Sequence, residues 1–180
     1  MKKVTIKQFQ QLESLRKEET IGNFDKEVRF AAIILNMTNE QADELPMSKV
    51  MQVNKNYVTP QAKDRIPKRT FIGGRLFQVI PDFTLLNAGE FTAFEHFTRT
   101  PNTTLNELHN IVALLTREVK FPYLKQQPRK EDPDTYLKRG IFMQDHAPAE
   151  LAMTISGFFL RVWNQSYNLI LEKDGPNPKD

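Results

Sequence analysis

The feature that most constrains the fold is a change in the spacing of apolar residues between residues 70 and 80. Two short apolar arms, residues 70–72 and 75–80, flank the dipeptide Gly73-Gly74. Glycine adopts positive φ at no steric cost, so this arrangement predicts a two-residue β-hairpin turn. Elsewhere the apolar residues recur at helical spacing. The sequence therefore predicts a mainly α fold with one short β-hairpin, of the α+β class.

Helical periodicity and capping residues divide the rest of the chain into eight predicted helices. Asp25 is a predicted N-cap, and capping boxes are predicted at Thr38 to Gln41 and at Thr104 to Glu107. Residues 119–132 are polar and contain two prolines, which predicts a long loop. The predicted helices cover roughly residues 4–15, 25–36, 38–45, 46–53, 87–97, 104–115, 134–142 and 148–171.

Composition along the chain predicts two helical units joined by a linker. The predicted divisions are an N-terminal helical unit, 1–53; a basic linker, 54–69; a hairpin plus helical unit, 70–171; and a flexible tail, 172–180. Both units run through similar elements and open their last helix at a proline, Pro46 or Pro148. This order suggests a duplicated helical unit, with chance similarity between amphipathic helices as the alternative.

The absence of several residue patterns excludes common kinds of active site. The 180-residue chain has no cysteine, which rules out disulfides, thiol catalysis and zinc ribbons. His96, His109 and His146 lack metal-ligand spacing, and Gly73-Gly74 is not followed by the Lys-Ser/Thr of a phosphate loop. We expect no cofactor, no metal and no enzymatic activity. No apolar run is long enough for a membrane helix, so no membrane partner is expected.

The positive charge is concentrated in one part of the chain. Net charge is +3, from 25 Lys and Arg against 22 Asp and Glu. Residues 49–75 contain seven of these cations and one carboxylate, Asp64. Such a run is either a solvated linker or a contact surface for nucleic acid or an acidic partner. The candidate basic patch consists of Lys63, Arg65, Lys68 and Arg69.

Two groups of bulky apolar residues are candidate partner-binding sites. One lies on the hairpin, at Phe71, Ile72 and Phe77, and the other on the final helix, at Phe158, Phe159 and Trp163. A partner-binding face is one interpretation of the helix residues. Burial in the core is the other, because a chain of this length needs large buried side chains.

Residues 70–115 resemble the tail assembly chaperones and related virion-assembly proteins of tailed bacteriophages, and the rest of the chain resembles them only loosely. The resemblance rests on the Gly73-Gly74 hairpin, the segment Pro-Asp-Phe-Thr-Leu at 81–85 and the helix entry Ala-Gly-Glu-Phe at 88–91. It implies a non-enzymatic protein that binds phage structural proteins, in the bacterial host cytoplasm or the virion. The family has no catalytic residues to carry over, and the oligomeric state stays open.

Two alternatives to a chaperone-like function follow from the same sequence. The first is a permanent virion component, such as a neck, tail or packaged protein. The second is a nucleic-acid-binding accessory protein that uses the basic residues between 49 and 75.

Overall fold

A computed structural model describes residues 3–80, 83–119 and 133–173. These residues are mainly helical with one small antiparallel sheet, which confirms the predicted α+β class. Most of the predicted loop at 119–132 and the end of the predicted tail lie outside the described residues. The helices are α1 Ile6–Lys17, α2 Asn23–Leu35, α3 Asn39–Asp43, α4 Met47–Asn56, α5 Ala88–Thr98, α6 Pro101–Asn106, α7 Leu108–Leu114, α8 Pro133–His146 and α9 Ala149–Lys173, and the strands are β1 Arg69–Ile72, β2 Arg75–Val79 and β3 Thr116–Glu118.

The hairpin forms as predicted, and a third strand extends it into a three-stranded sheet. Gly73 and Gly74 both have positive φ, at 53° and 79°, and β1 pairs with β2 from Ile72 opposite Arg75. Strand β3, which the sequence analysis did not predict, pairs antiparallel with the other edge of β2. The sheet order is therefore β1-β2-β3, and β1 is an edge strand.

The turn of the hairpin lies against α8. A Cβ atom at Gly73 would lie 2.6 Å from Cζ of Phe142, whereas a Cβ at Gly74 would meet nothing within 4 Å. The Arg75 guanidinium lies 4.5 Å from the centre of the Phe142 ring, and that ring stacks on His146. These contacts anchor the turn to α8.

Helix α7 is the centre of the main core. Its residues from Ile111 to Leu114, and Leu115 after it, are completely buried. Helices α5, α6, α8 and α9 and strand β3 all contact it. Gly140 on α8 lies directly against the Asn110 amide of α7, and a larger residue there would require that side chain to move. Glycine at 140 thus allows the Asn110 amide to pack on the α8 backbone.

Side chains from other elements satisfy the carbonyl oxygens at the buried end of α7. The Thr116 hydroxyl donates to the Val112 carbonyl at 2.7 Å. Nε and Nη2 of Arg139 donate to the Ala113 carbonyl at 3.1 and 2.8 Å, and Nη1 of Arg117 donates to the Leu114 carbonyl at 2.7 Å. A buried carbonyl without a partner costs about 1–3 kcal/mol, so these donors allow the helix to end inside the core.

A buried ion pair connects this helix end to α5. Nη2 of Arg117 donates to a carboxylate oxygen of Glu90 at 2.5 Å, and both side chains are almost fully buried. The second Glu90 oxygen accepts the backbone N–H of Asn87 at 2.8 Å and closes a capping box at the start of α5. Glu90 therefore caps α5 and also pairs with Arg117, whose guanidinium group binds the last carbonyl of α7.

A second, smaller core holds α2, α3 and α4 together. It consists of the small buried residues Val28, Ala31, Ala32, Ala42 and Val50. Helix α1 contributes Ile6 and Phe9 to the main core instead. The predicted 1–53 unit is thus divided between two cores, and its boundary falls inside α4.

Two predicted helix starts are wrong. Helix α2 begins at Asn23 after Gly22, two residues before the predicted cap Asp25. The predicted helix at 104–115 is two helices, because Thr100 caps a turn that opens at Pro101. The Thr104 hydroxyl donates back to the Thr100 carbonyl at 2.9 Å instead of capping. The capping box at Thr38 is confirmed.

We expect Gly73→Ala and Gly74→Ala to destabilise the protein by different amounts. Both substitutions place a side chain at positive φ, which costs about 1–2 kcal/mol. Only Gly73→Ala also forces a methyl group against Phe142 and His146, which adds about 1–3 kcal/mol. Urea unfolding of both variants measures the difference. Equal losses would show that the turn does not rest tightly on α8.

Glu90→Gln is expected to lower the unfolding free energy by about 3 kcal/mol or more. The substitution keeps the shape of the side chain but replaces the carboxylate that pairs with the buried Arg117 guanidinium by a neutral amide. Glu95→Gln, at an exposed position of the same helix, is the control and should change stability by less than about 0.5 kcal/mol. Similar losses for the two variants, measured by urea unfolding, would contradict the assigned role of the ion pair.

Candidate partner-binding groove

A groove of about 690 Å³ lies at the seam between the two cores. One wall is a face of α4 formed by Lys49, Gln52, Val53 and Asn56, which recur at the three- and four-residue spacing of one helix face. The opposite side comes from the end of α2, the residues before α1 and the start of α9. The irregular segment after α4, residues 57–61, closes the remaining side.

Most of the surface that lines the groove is apolar, although polar and charged side chains also contribute to it. Val58 is the most exposed of them at 72%, and Leu35 on α2 is also exposed. An aliphatic side chain gains roughly 1.5–3 kcal/mol when it moves from water into an apolar environment, so both favour a covered state. The apolar lining consists of Val4, Ile34, Leu35, Val53, Val58 and Pro60.

The rim of the groove carries a net positive charge. Glu150, at the start of α9, pairs with Lys3 at 2.9 Å and with Lys63 at 2.8 Å. Hydrogen bonds from Lys63 and then Lys3 hold the pKa of the Glu150 carboxyl below its usual value. Lys49, on the opposite wall, forms no ion pair with the residues that the structure describes. It is the cation at this rim that remains available to a carboxylate.

Gln8 connects the start of α1 to the end of α2 on one side of the groove. Its side-chain oxygen accepts the backbone N–H of Thr5 in the capping box of α1. Its amide nitrogen donates to the carbonyls of Ile33 and Ile34, at the end of α2, at 2.8 and 3.3 Å. The sequence analysis did not single out Gln8. The spacing of Thr5 and Gln8 in a capping box was the signal that could have identified it.

Tyr57 begins the segment that closes the groove. Its ring packs edge to face on Phe30 of α2, with ring centres 4.9 Å apart. Burial raises the pKa of its hydroxyl. That hydroxyl and the Oδ1 atom of Asn54 are buried and form no hydrogen bond with the described part of the chain.

The predicted hairpin contacts are mostly core residues. Ile72 and Phe77 are buried against the main core, so the prediction that they contact a partner is wrong. Phe71 is 73% exposed because it points away from α8, on the sheet face opposite to Ile72. Of the three hairpin candidates, only Phe71 offers its side chain to a partner.

The aromatic residues of the final helix also lie in or near the core. Phe159 is completely buried and packs edge to face on Phe83, with ring centres 5.1 Å apart. It is therefore a core residue and not a partner contact. Phe158 is half-buried beside it, and the side chain of Trp163 lies outside the described part of the chain.

The predicted basic linker is irregular and exposed, but it is attached to the main body. Lys63, Arg65, Lys68 and Arg69 are all exposed. The backbone N–H of Lys63 donates to the Thr154 hydroxyl at 2.9 Å, in addition to the Glu150 pair. The structure therefore brings Lys63 to the groove rim and places Arg69 on the hairpin.

Comparison with known proteins gives no relative for this arrangement. No protein-family model matches the chain, and neither a curated protein nor a solved structure is significantly similar to it. Among the described residues, no group of three or more His, Asp or Glu is placed to hold a metal ion. Within the same ranges, none of the helices combines the length and hydrophobicity that a membrane crossing requires.

Trypsin is expected to cut the exposed segment after Arg65 before it cuts after Lys63. The two contacts of Lys63 to α9 hold it in place, and Arg65 does not share them. Glu150→Gln should accelerate cleavage after Lys63 about two- to fivefold, because a partly exposed ion pair contributes little more than that.

Glu13→Gln provides the control, since it removes a surface ion pair, with Arg16, that does not involve Lys63. In the mildly alkaline conditions of a trypsin digest, the Glu150 carboxylate is fully charged. The lowered pKa means that the attachment weakens only when the pH falls through that pKa. Equal cleavage rates after Lys63 in both variants, read by mass spectrometry, would argue against the attachment.

Proposed function

We propose that this protein is a non-enzymatic binding protein whose groove accepts an apolar segment of a partner protein. The observation that carries the proposal is the exposure of apolar side chains in a concave surface, with Val58 and Leu35 the clearest cases. Its volume lies within the range of protein binding sites, about 300–1,000 Å³.

The chemistry of the groove defines the partner segment. Its floor fits aliphatic or aromatic side chains, which gain free energy by leaving water. The rim fits a carboxylate placed beside Lys49, opposite the pair of Glu150 with Lys3 and Lys63. The occupant is therefore an apolar peptide segment that carries at least one Asp or Glu.

The resemblance of residues 70–115 to tail assembly chaperones supplies the class of partner. We propose that the segment belongs to a structural protein of a tailed bacteriophage, and that binding takes place during particle assembly, in the host cytoplasm or the virion. A groove that covers an apolar segment suits this function, because unassembled structural proteins expose surfaces that later become subunit interfaces.

A displayed library of random peptides tests the groove. Selection on the full chain should enrich peptides with large apolar residues and at least one Asp or Glu. Val58→Lys should weaken binding of the selected peptides at least about tenfold, because a charge would replace an apolar side chain of the groove lining.

Ile141→Lys is the matched control, since Ile141 is 66% exposed on α8 and lies outside the groove. Peptides that bind both variants equally would place the binding site elsewhere. Co-expression with phage tail and neck proteins tests the partner class separately. Suppose that none of these proteins co-purifies with the wild-type chain in a way that Val58→Lys abolishes. The phage assignment would then be wrong, whereas peptide binding in the groove would still support the groove proposal.

A further inference from the structure

We propose that the partner segment binds the groove in an extended conformation, as an added β-strand, and not as a helix. This inference rests on the proposed function, because it takes the groove as the binding site. It adds the conformation of the partner segment and the groups that bind its backbone.

One side of the groove is a segment with unpaired backbone groups, residues 58–61, which we call the strap. None of its N–H or C=O groups forms a hydrogen bond with the described part of the chain. Val58, Thr59 and Gln61 are exposed and line the groove. The backbone of the strap is therefore open to a partner, as it is in the edge strand of a sheet.

The chain is anchored on both sides of the strap. Tyr57, directly before it, packs on Phe30 with ring centres 4.9 Å apart. After it, the backbone N–H of Lys63 donates to the Thr154 hydroxyl at 2.9 Å, in addition to the ion pair of Lys63 with Glu150. A segment that is already fixed loses little conformational freedom when a partner pairs with it.

The local sequence favours an extended strap with one complete edge. Tyr57 has extended backbone angles, with φ at −70° and ψ at 130°. Thr59 precedes Pro60, and the residue before a proline is disfavoured from the helical region. In an extended segment Thr59 and Gln61 present their N–H and C=O groups on the same edge. Pro60, on the other edge, has no N–H. The edge of Thr59 and Gln61 is therefore the one that can pair fully with a partner strand.

The wall formed by α4 suits a peptide backbone better than a helix. Of its residues Lys49, Gln52, Val53 and Asn56, only Val53 is apolar. Helices pack through apolar stripes, and their own backbone groups are bonded internally. The side-chain amides of Gln52 and Asn56 are exposed and form no hydrogen bond with any described residue. Each amide carries donors and an acceptor, which match the C=O and N–H groups of an extended peptide.

A substitution on α4 distinguishes the two binding modes. The tightest peptide from the displayed library, labelled with fluorescein, is titrated with the full chain by fluorescence anisotropy. Gln52→Met keeps the length of the side chain but removes its amide. We expect the affinity to fall about 3- to 10-fold, because a hydrogen bond to the peptide backbone is lost. A helix on this wall would bind Gln52→Met more tightly, because the wall becomes more apolar. Gln11→Met is the matched control, since Gln11 is exposed on α1 and lies outside the groove.

A second pair of variants tests the backbone of the strap. Gln61→Pro removes both the side-chain amide and the backbone N–H, whereas Gln61→Ala removes the amide alone. We expect Gln61→Pro to bind the peptide about 3- to 10-fold more weakly than Gln61→Ala. Equal melting temperatures of the two variants would show that this difference reports binding and not unfolding.

The conformation of the bound peptide is read directly from the ¹³C chemical shifts of a labelled peptide in the complex. We expect shifts typical of a β-strand. Three results would overturn the extended mode: helical shifts, unchanged or tighter binding by Gln52→Met, and equal affinities of Gln61→Pro and Gln61→Ala. If Val58→Lys still weakens peptide binding in those cases, the groove proposal stands without this inference. If Val58→Lys leaves binding unchanged, the groove proposal is wrong and this inference fails with it.

Discussion

The end of α7 inside the core is the constraint on which the rest of the structure depends. An apolar helix that stops in the interior leaves carbonyl oxygens that water cannot reach. Thr116 and Arg117 from β3 and Arg139 from α8 supply the missing donors. Glu90 balances the charge of Arg117 and brings α5 to the same point. Directional hydrogen bonds, in addition to apolar contacts, therefore determine where the sheet and these helices meet.

Local signals in the sequence predicted the elements whose conformation is decided locally. The hairpin followed from Gly73-Gly74, and the start of α3 followed from the capping box at Thr38. Strand β3 was not predictable in this way, because Thr116–Glu118 is short and polar and is a strand only through its pairing with β2. Likewise, Arg117 and Arg139 have the composition of surface residues, and only the tertiary structure gives them buried partners.

The candidate sites were less predictable than the fold. Bulk and aromaticity selected Phe77 and Phe159, but those properties describe core residues equally well, and both are buried. The groove was not predicted, since its lining comes from five separate parts of the chain and no single part has a distinctive pattern. The groove is the gap between the two cores, and the smaller core consists only of alanine and valine side chains. The gap therefore depends on how the two cores are arranged in the folded protein.

The segment before α1 has a consequence for how the protein is made. The Val4 carbonyl accepts the backbone N–H of Ala149, and the Ile6 N–H donates to the Ala147 carbonyl, so an early segment pairs with a late one. At roughly 5–20 residues per second, the ribosome adds the late residues on the order of ten seconds after the early ones. During that interval Ile6 and Phe9 have no completed core to enter. The apolar face of α1 therefore remains uncovered, and able to aggregate, until the turn between α8 and α9 has left the ribosome.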